Sequence, residues 1–218
     1  MNYYLKLSYI WTMKTKEKIA VKALQLFNEK GYNNITTRHI AAELNISPGN
    51  LHYHFKHSED IINLLFRALI SKMDALMKQL EKNEYKDLES LYDFTYSSFD
   101  IFYNYQFIFL NFLDILHRIP EIEAEYELLS IRRKEEFQAI FESFQKNKIL
   151  KENIPDFIMD NLLTQMFVFG NNWISHNKIT LKLNKEEAVQ YYTLVQMNFF
   201  YLLLNEEQQK LYEQKYIK

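Results

Sequence analysis

Cysteine is absent from the 218 residues, so neither a disulfide framework nor a thiolate metal site can staple the chain, as suits a reducing cytosol. Glycine and proline occur three times each, which disfavours a protein built on strand turns and favours long helices. No run of about 18 uncharged apolar residues occurs, so no segment reads as a membrane span. Charge of one sign is also lacking: 26 Lys and Arg against 28 Asp and Glu leave a net charge of −2. Catalytic signatures are missing too. There is no G-x-S-x-G, P-loop or dinucleotide fingerprint. Asp114-x-x-His117 occurs once, whereas a di-iron carboxylate bundle needs two Glu-x-x-His motifs and further glutamates. His52, His54 and His57 are close in sequence but fan out around a helix, a poor geometry for one shared metal. Neither an enzyme, a cofactor nor a bound metal is expected.

The charge that is present is unevenly spread. Residues 1–58 hold eight Lys or Arg and three Asp or Glu, giving +5, and the remaining residues give −7. Binding to phosphate depends on such a local basic face, not on the total. The same basic region contains TTRHIAAELNISPGNLHYHFKH, residues 36–57, which reads as two short helices joined by a tight turn. Thr36 or Thr37 caps the first helix, whose inward face is Ile40, Ala41 and Leu44. Asn45 tolerates the left-handed conformation that the exit from this helix requires. Ile46 plugs the angle between the helices. Ser47-Pro48 is a start signal, a capping hydroxyl followed by proline at the first helical position. Leu51 and Phe55, four residues apart, share the buried face of the second helix. Gly49, Asn50, His52 and Tyr53 fall on the opposite side, a polar and aromatic face of the kind a helix lays in the DNA major groove.

The flanks extend the pattern. TKEKIAVKALQLFNEKGYNNIT is an amphipathic helix (Ile19, Ala23, Leu26, Phe27) ended by Gly31, and Ser58 is placed to cap a long helix with Glu59 and Asp60 in its first turn. Over residues 15–65 the chain resembles the N-terminal domain of TetR-family transcriptional regulators. The residues that carry the likeness are Phe27, Gly31-Tyr32, Thr36-Thr37-Arg38, Ile40-Ala41, Ser47, Gly49, Leu51, His54-Phe55 and Glu59. His52 stands where the family usually has tyrosine, Asn45 where glycine is common and Ser58 where lysine is common. The resemblance implies an all-α protein: an N-terminal three-helix helix-turn-helix head, residues 13–60, followed by a larger helical ligand-binding and dimerisation body, residues 61–218. It also implies that Thr37 and Arg38 contact phosphate. Pro48, Gly49, Asn50, His52 and Tyr53 would meet base edges or sugar–phosphate, with His54 and Lys56 on the backbone.

From Ile61 onward the sequence reads as helix. Ile62, Leu65, Phe66, Leu69, Met73 and Leu76 or Met77 make one stripe. Further helices are expected at about 87–104, 106–118, 121–147, 155–177, 185–204 and 206–216. Arg132-Arg133-Lys134, set among glutamates, reads as a solvated face. Aromatics crowd residues 92–112. Regulators of this resemblance hold a small-molecule cavity in the body, and an aromatic lining suits an apolar or flat ligand. Candidate lining residues are Tyr96, Phe99, Tyr103, Asp114, His117, Asn171, Asn172 and His176. Residues 157–174 and 191–204 are apolar over more than one face, as helices buried within one subunit or a homodimer seam would be; the resemblance implies the seam, built around Met166, Gly170, Trp173, Val195, Phe199 and Leu203. Gly170, in mid-helix, points to close helix contact.

The first dozen residues, with one basic residue and no small-residue cleavage site, do not read as a secretory signal. They are expected to be an N-terminal extension, either a product of an upstream start codon or a packing arm. The reading is of a cytoplasmic, dimeric repressor that holds a palindromic operator in double-stranded DNA and leaves it when a small effector binds. A helical ligand-binding protein without DNA binding, and an activator of the same fold, are the alternatives.

Overall fold

The computed structural model describes residues 14–82 and 87–217; the expectation for residues 1–12 falls outside them. Eleven α-helices account for most of the described chain: α1 Thr15–Lys30, α2 Thr37–Glu43, α3 Pro48–His54, α4 Ser58–Lys82, α5 Leu88–Asn104, α6 Gln106–Leu110, α7 Phe112–Arg118, α8 Pro120–Lys146, α9 Asp156–Ile179, α10 Lys185–Tyr201 and α11 Glu206–Tyr216. The all-α class expected from the sequence is what is observed. No helix among the described residues is long and apolar enough to cross a membrane. The chain divides into two compact units, one ending at Ile70 and the other beginning at Ser71, so the division falls within α4.

In the N-terminal unit, Ile19, Ala23, Leu26 and Phe27 of α1 are buried, as are Ile40, Ala41, Leu51, Phe55, Ile62, Leu65 and Phe66. Gly31 ends α1 at φ 78°, a conformation that a side chain would strain, and its N–H closes on the Phe27 carbonyl. The start of α4 differs from the expectation. Ser58 lies inside the first turn, and Asp60 Oδ2 accepts the His57 N–H at 2.9 Å to close it.

In the second unit, expected helix 106–118 is interrupted at Asn111, whose side-chain amide donates to the Phe107 carbonyl at 2.8 Å. A side chain that competes for a backbone acceptor is how asparagine breaks a helix. The body's centre is aromatic. Trp173 of α9 stacks on Phe99 of α5 (centroids 5.1 Å apart) and lies 5.0 Å from Tyr192 of α10. On α5, the buried hydroxyls of Thr95 and Ser98 donate to the Leu91 and Phe94 carbonyls one turn back, at 2.8 and 2.7 Å. These short, self-satisfied side chains let α10 pack closely against α5 without leaving their own hydroxyls unpaired. A short ribbon pins the loop before α9 to the loop before α11. Lys151 N–H donates to the Leu203 carbonyl at 2.9 Å and Asn205 N–H to the Ile149 carbonyl at 3.1 Å.

Three expectations for the body are corrected. Arg133 is not on a solvated face: it is buried and pairs with both Asp74 of α4 and Glu136, while Arg132 reaches Asp74 at 2.8 Å. Met166, Gly170 and Trp173 are buried within the subunit, so they have no surface to offer a second copy; Val195, Phe199 and Leu203 are half-buried. Gly170 is also not held by close contact, since a Cβ built there would meet nothing nearer than Phe102 Cε2 at 3.9 Å.

Two stability predictions follow from this packing. Gly170→Ala should raise the free energy of unfolding by about 1 kcal/mol in urea, because helix propensity improves and the methyl fits; a loss of stability would mean that the helices are closer than 3.9 Å allows. Burial, reinforced by the neighbouring Tyr216 and Tyr92 phenols, pushes the Tyr212 phenol up to about 12 from its ordinary 10.0. The folded state therefore holds this proton more tightly than the unfolded chain, and the associated stability is present below pH 10 and lost as the pH rises towards 12. Urea midpoints should be level up to that lower limit and fall above it, and Tyr212→Phe should flatten the fall.

Candidate nucleic-acid interface

The start of α2 and the turn that leads from it into α3 are built by local contacts. Thr36 caps α2, its Oγ1 accepting the His39 N–H at 3.3 Å. His39 returns the contact, its Nδ1 accepting the Thr36 N–H at 3.3 Å, so a histidine fills the place that glutamate or glutamine holds in most capping boxes. Asn45 takes φ 54°, the left-handed conformation that turns the chain out of α2. The Ile46 N–H then donates to the Ala41 carbonyl at 3.0 Å, and the half-buried Ile46 side chain fills the corner. Ser47 caps α3, Oγ accepting the Asn50 N–H at 3.1 Å, with Pro48 at the first helical position. Leu51 and Phe55 are 1% and 3% exposed and fix which side of α3 faces inward.

That choice leaves Pro48, Gly49, Asn50, His52 and Tyr53 on the outside, Tyr53 being 85% exposed. His54 is half-buried, its ring edge-on to Tyr53 at 5.2 Å, and Lys56 is exposed just beyond the helix. At the start of α2, Thr37 is half-buried and Arg38 exposed. The interface residues expected from the sequence therefore lie on α3, on the residues just after it and at the start of α2. Gly49 carries a further signal. A Cβ built there would meet only Ser47 Oγ, at 4.0 Å, and its φ is not positive. Nothing in the chain's own packing requires glycine at this position in the first turn of α3.

The effector candidates separate into two groups. Phe99, Tyr103 and His176 gather round Trp173 and Tyr192: Tyr103 lies 6.2 Å from the Trp173 ring, and His176 Nδ1 is 2.6 Å from the Tyr192 hydroxyl. Tyr96, Asp114, His117 and Asn172 are exposed, the Asn172 amide donating to the Val168 carbonyl at 2.7 Å, and Asn171 donates to the Tyr126 hydroxyl at 2.8 Å. Sequence reading missed three buried polar atoms of the second unit, one of them on the central indole. Trp173 Nε1, Thr193 Oγ1 and Gln196 Oε1 are buried with no hydrogen-bond partner among the described residues. A threonine and a glutamine inside the apolar run 191–204 were the available signal.

Comparison with known proteins matches this arrangement at both ends of the chain. Residues 19–65 match the pattern described as bacterial regulatory proteins, tetR family, and residues 70–212 match TetR, described as a bacterial transcriptional repressor. A crystal structure of a TetR-family transcriptional regulator from Marinobacter aquaeolei VT8 superposes with a TM-score of 0.83 at 28% identity, covering 91% of this chain and 95% of that one. An HTH-type transcriptional regulator of Staphylococcus aureus (strain bovine RF122 / ET3-1) is 25% identical over 185 residues, 83% of this chain and 93% of that protein. The biofilm operon icaADBC HTH-type negative transcriptional regulator IcaR of Staphylococcus aureus (strain Newman) is 30% identical over 87 residues, 39% of this chain and 47% of IcaR. With both segments matched and the helix-turn-helix formed, the chain belongs to the TetR family of bacterial transcriptional regulators.

Proposed function

We propose that the protein is a cytoplasmic repressor that binds a palindromic operator as a homodimer and releases it when a small apolar or aromatic molecule enters the body. Gly49 is the observation that carries the DNA reading. A bare backbone on the outer face of α3, with no internal use for it, is what close approach to a sugar–phosphate chain requires. Asn50, His52 and Tyr53 supply base-edge and sugar contacts, Pro48 packs at the groove rim, and Thr37, Arg38, His54 and Lys56 hold phosphates. IcaR, the negative regulator to which part of the chain is similar, favours repression over activation.

The effector reading rests on the aromatic centre. Trp173 Nε1 is a donor, Gln196 Oε1 an acceptor and Thr193 Oγ1 either, all without partners. A flat molecule with an acceptor would satisfy the Trp173 indole N–H while stacking on Phe99 and Tyr103. An unpaired buried polar atom costs about 1–3 kcal/mol, so pairing this one on binding would favour the liganded state. That state is read out through α4, which belongs to both units, by changing the spacing of the two heads.

The dimer seam belongs on the outer faces of α9 and α10 and not on the buried residues first expected there. Tyr191, Val195 and Asn198 recur at helical spacing along α10 and Leu202, just past its end, continues the row; Tyr191 and Leu202 are exposed, and Val168 is exposed on α9. A four-helix seam from two copies would cover this stripe and set the heads about 34 Å apart, one turn of DNA.

Two experiments test these readings. In mobility shifts with DNA from the protein's own upstream region, Arg38→Ala should weaken binding to all sequences and lower the salt slope by about one. Asn50→Ala should relax sequence preference by about 1–3 kcal/mol at one position, and Gly49→Ala should lose binding while its melting temperature holds or rises. Binding equal to wild type in all three variants would sink the assignment. In light scattering, the wild-type chain should be a dimer, and Val168→Glu combined with Leu202→Glu a folded monomer. A wild-type monomer, or a variant that stays dimeric, rejects the seam.

A further inference from the structure

A groove on the second unit, away from the aromatic centre, combines aromatic faces with carboxylates. Tyr216 of α11 and Tyr92 of α5 stack with centroids 4.8 Å apart and planes 22° from parallel. Tyr96, one turn along α5, continues the ladder 6.4 Å from Tyr92 at 23°. Glu89 and Asp93, on the same helix and one turn apart, flank these rings. A cavity of about 550 Å³ is lined by Glu89, Tyr92, Asp93, Gln190, Leu194 and Tyr216, within the size range of small-molecule sites. A neighbouring cavity of about 490 Å³ shares Glu89, Lys215 and Tyr216 with it and adds Asp87 and Tyr212.

One cation already sits there, and it belongs to the chain. Lys215 Nζ pairs with Glu89 Oε2 at 2.8 Å and lies 5.5 Å from the centre of the Tyr216 ring. An ammonium is thus held by a carboxylate and an electron-rich ring face together, the two attractions that recognise organic cations. The lysine is also replaceable. Its side chain is 47% exposed and that of Glu89 64%, and exposed pairs of this kind contribute little to stability. The balance of charge favours a second cation over an anion: among the described residues that line the two cavities, Asp87, Glu89 and Asp93 are set against one cation, Lys215, and Asp87 already accepts the Ser90 N–H at 2.8 Å as the cap of α5. A neutral aromatic could stack on Tyr92 or Tyr216 but would leave the carboxylates unused.

We propose that this groove binds an organic cation, an amine or quaternary ammonium bearing an apolar or aromatic group. Its charged head replaces the Lys215 ammonium between Glu89 and Tyr216, and its apolar part lies along Leu194. The site is separate from the effector centre at Trp173, so the two can succeed or fail independently.

Calorimetric titration of the full chain with benzyltrimethylammonium, benzyl alcohol and benzenesulfonate tests the proposal. The cation alone should bind. Lys215→Ala removes the internal competitor and should tighten binding several-fold, whereas Glu89→Gln should weaken it by about tenfold. Adding salt should weaken the wild-type affinity. Both substituted residues are exposed, so helicity and melting temperature should match wild type and report that the variants fold. The proposal is overturned if the Lys215→Ala protein binds no cation, if both substitutions leave the affinity unchanged, or if benzyl alcohol binds as well as benzyltrimethylammonium.

Discussion

The packing of Trp173 between Phe99 and Tyr192 is the contact on which the helical body depends. It joins α5 to the consecutive helices α9 and α10, which come much later in the sequence, and it is almost completely removed from water: Trp173 is 1% exposed, Phe99 2% and Tyr192 2%. Truncating such an aromatic typically costs about 3–5 kcal/mol, a large share of the 5–15 kcal/mol by which a domain is stable. The small hydroxyl residues Thr95 and Ser98 hydrogen-bond within α5, so they can lie under α10 without a polar penalty. The Trp173 indole N–H at this centre has no partner among the described residues, and neither have Thr193 Oγ1 and Gln196 Oε1 on α10. The same contact that holds the body together is therefore the place where a guest could change its energy most.

The head was legible in the sequence because its structure is decided locally. Asn45 in the left-handed region, Ser47 as a cap, Pro48 at the first helical position and Leu51 with Phe55 inward each follow from a residue and its near neighbours. The exposed face of α3 then follows by geometry alone. Even here one exchange escaped notice: His39 replaces a carboxylate in the capping box, because either side chain can accept the same N–H.

The body was legible only as helices. Periodicity says that α9 and α10 carry apolar residues on several faces, but not which face meets the same chain and which faces outward. Met166 and Trp173 on one side and Val168 on another look alike by composition, yet the first two are buried and the third is 59% exposed. Arg133 was misread for a related reason. Its partner Asp74 lies 59 residues away, a pairing that no local pattern records. Such a pair is costly to break, since either charge left alone in a buried place is unstable.

The ribbon between residues 149–151 and 203–205 carries a consequence for the order of assembly. Its two segments are far apart along the chain, Lys151 and the Leu202 carbonyl it also reaches being 51 residues apart. Closing a flexible loop of that length costs about 3.5 kcal/mol in chain entropy, more than two backbone hydrogen bonds return at about 1 kcal/mol each. The ribbon cannot nucleate the body; α9 and α10 must already lie side by side before it closes. Because α11 follows directly from it, the last helix docks late in folding, and its amides should be among the first in the body to open.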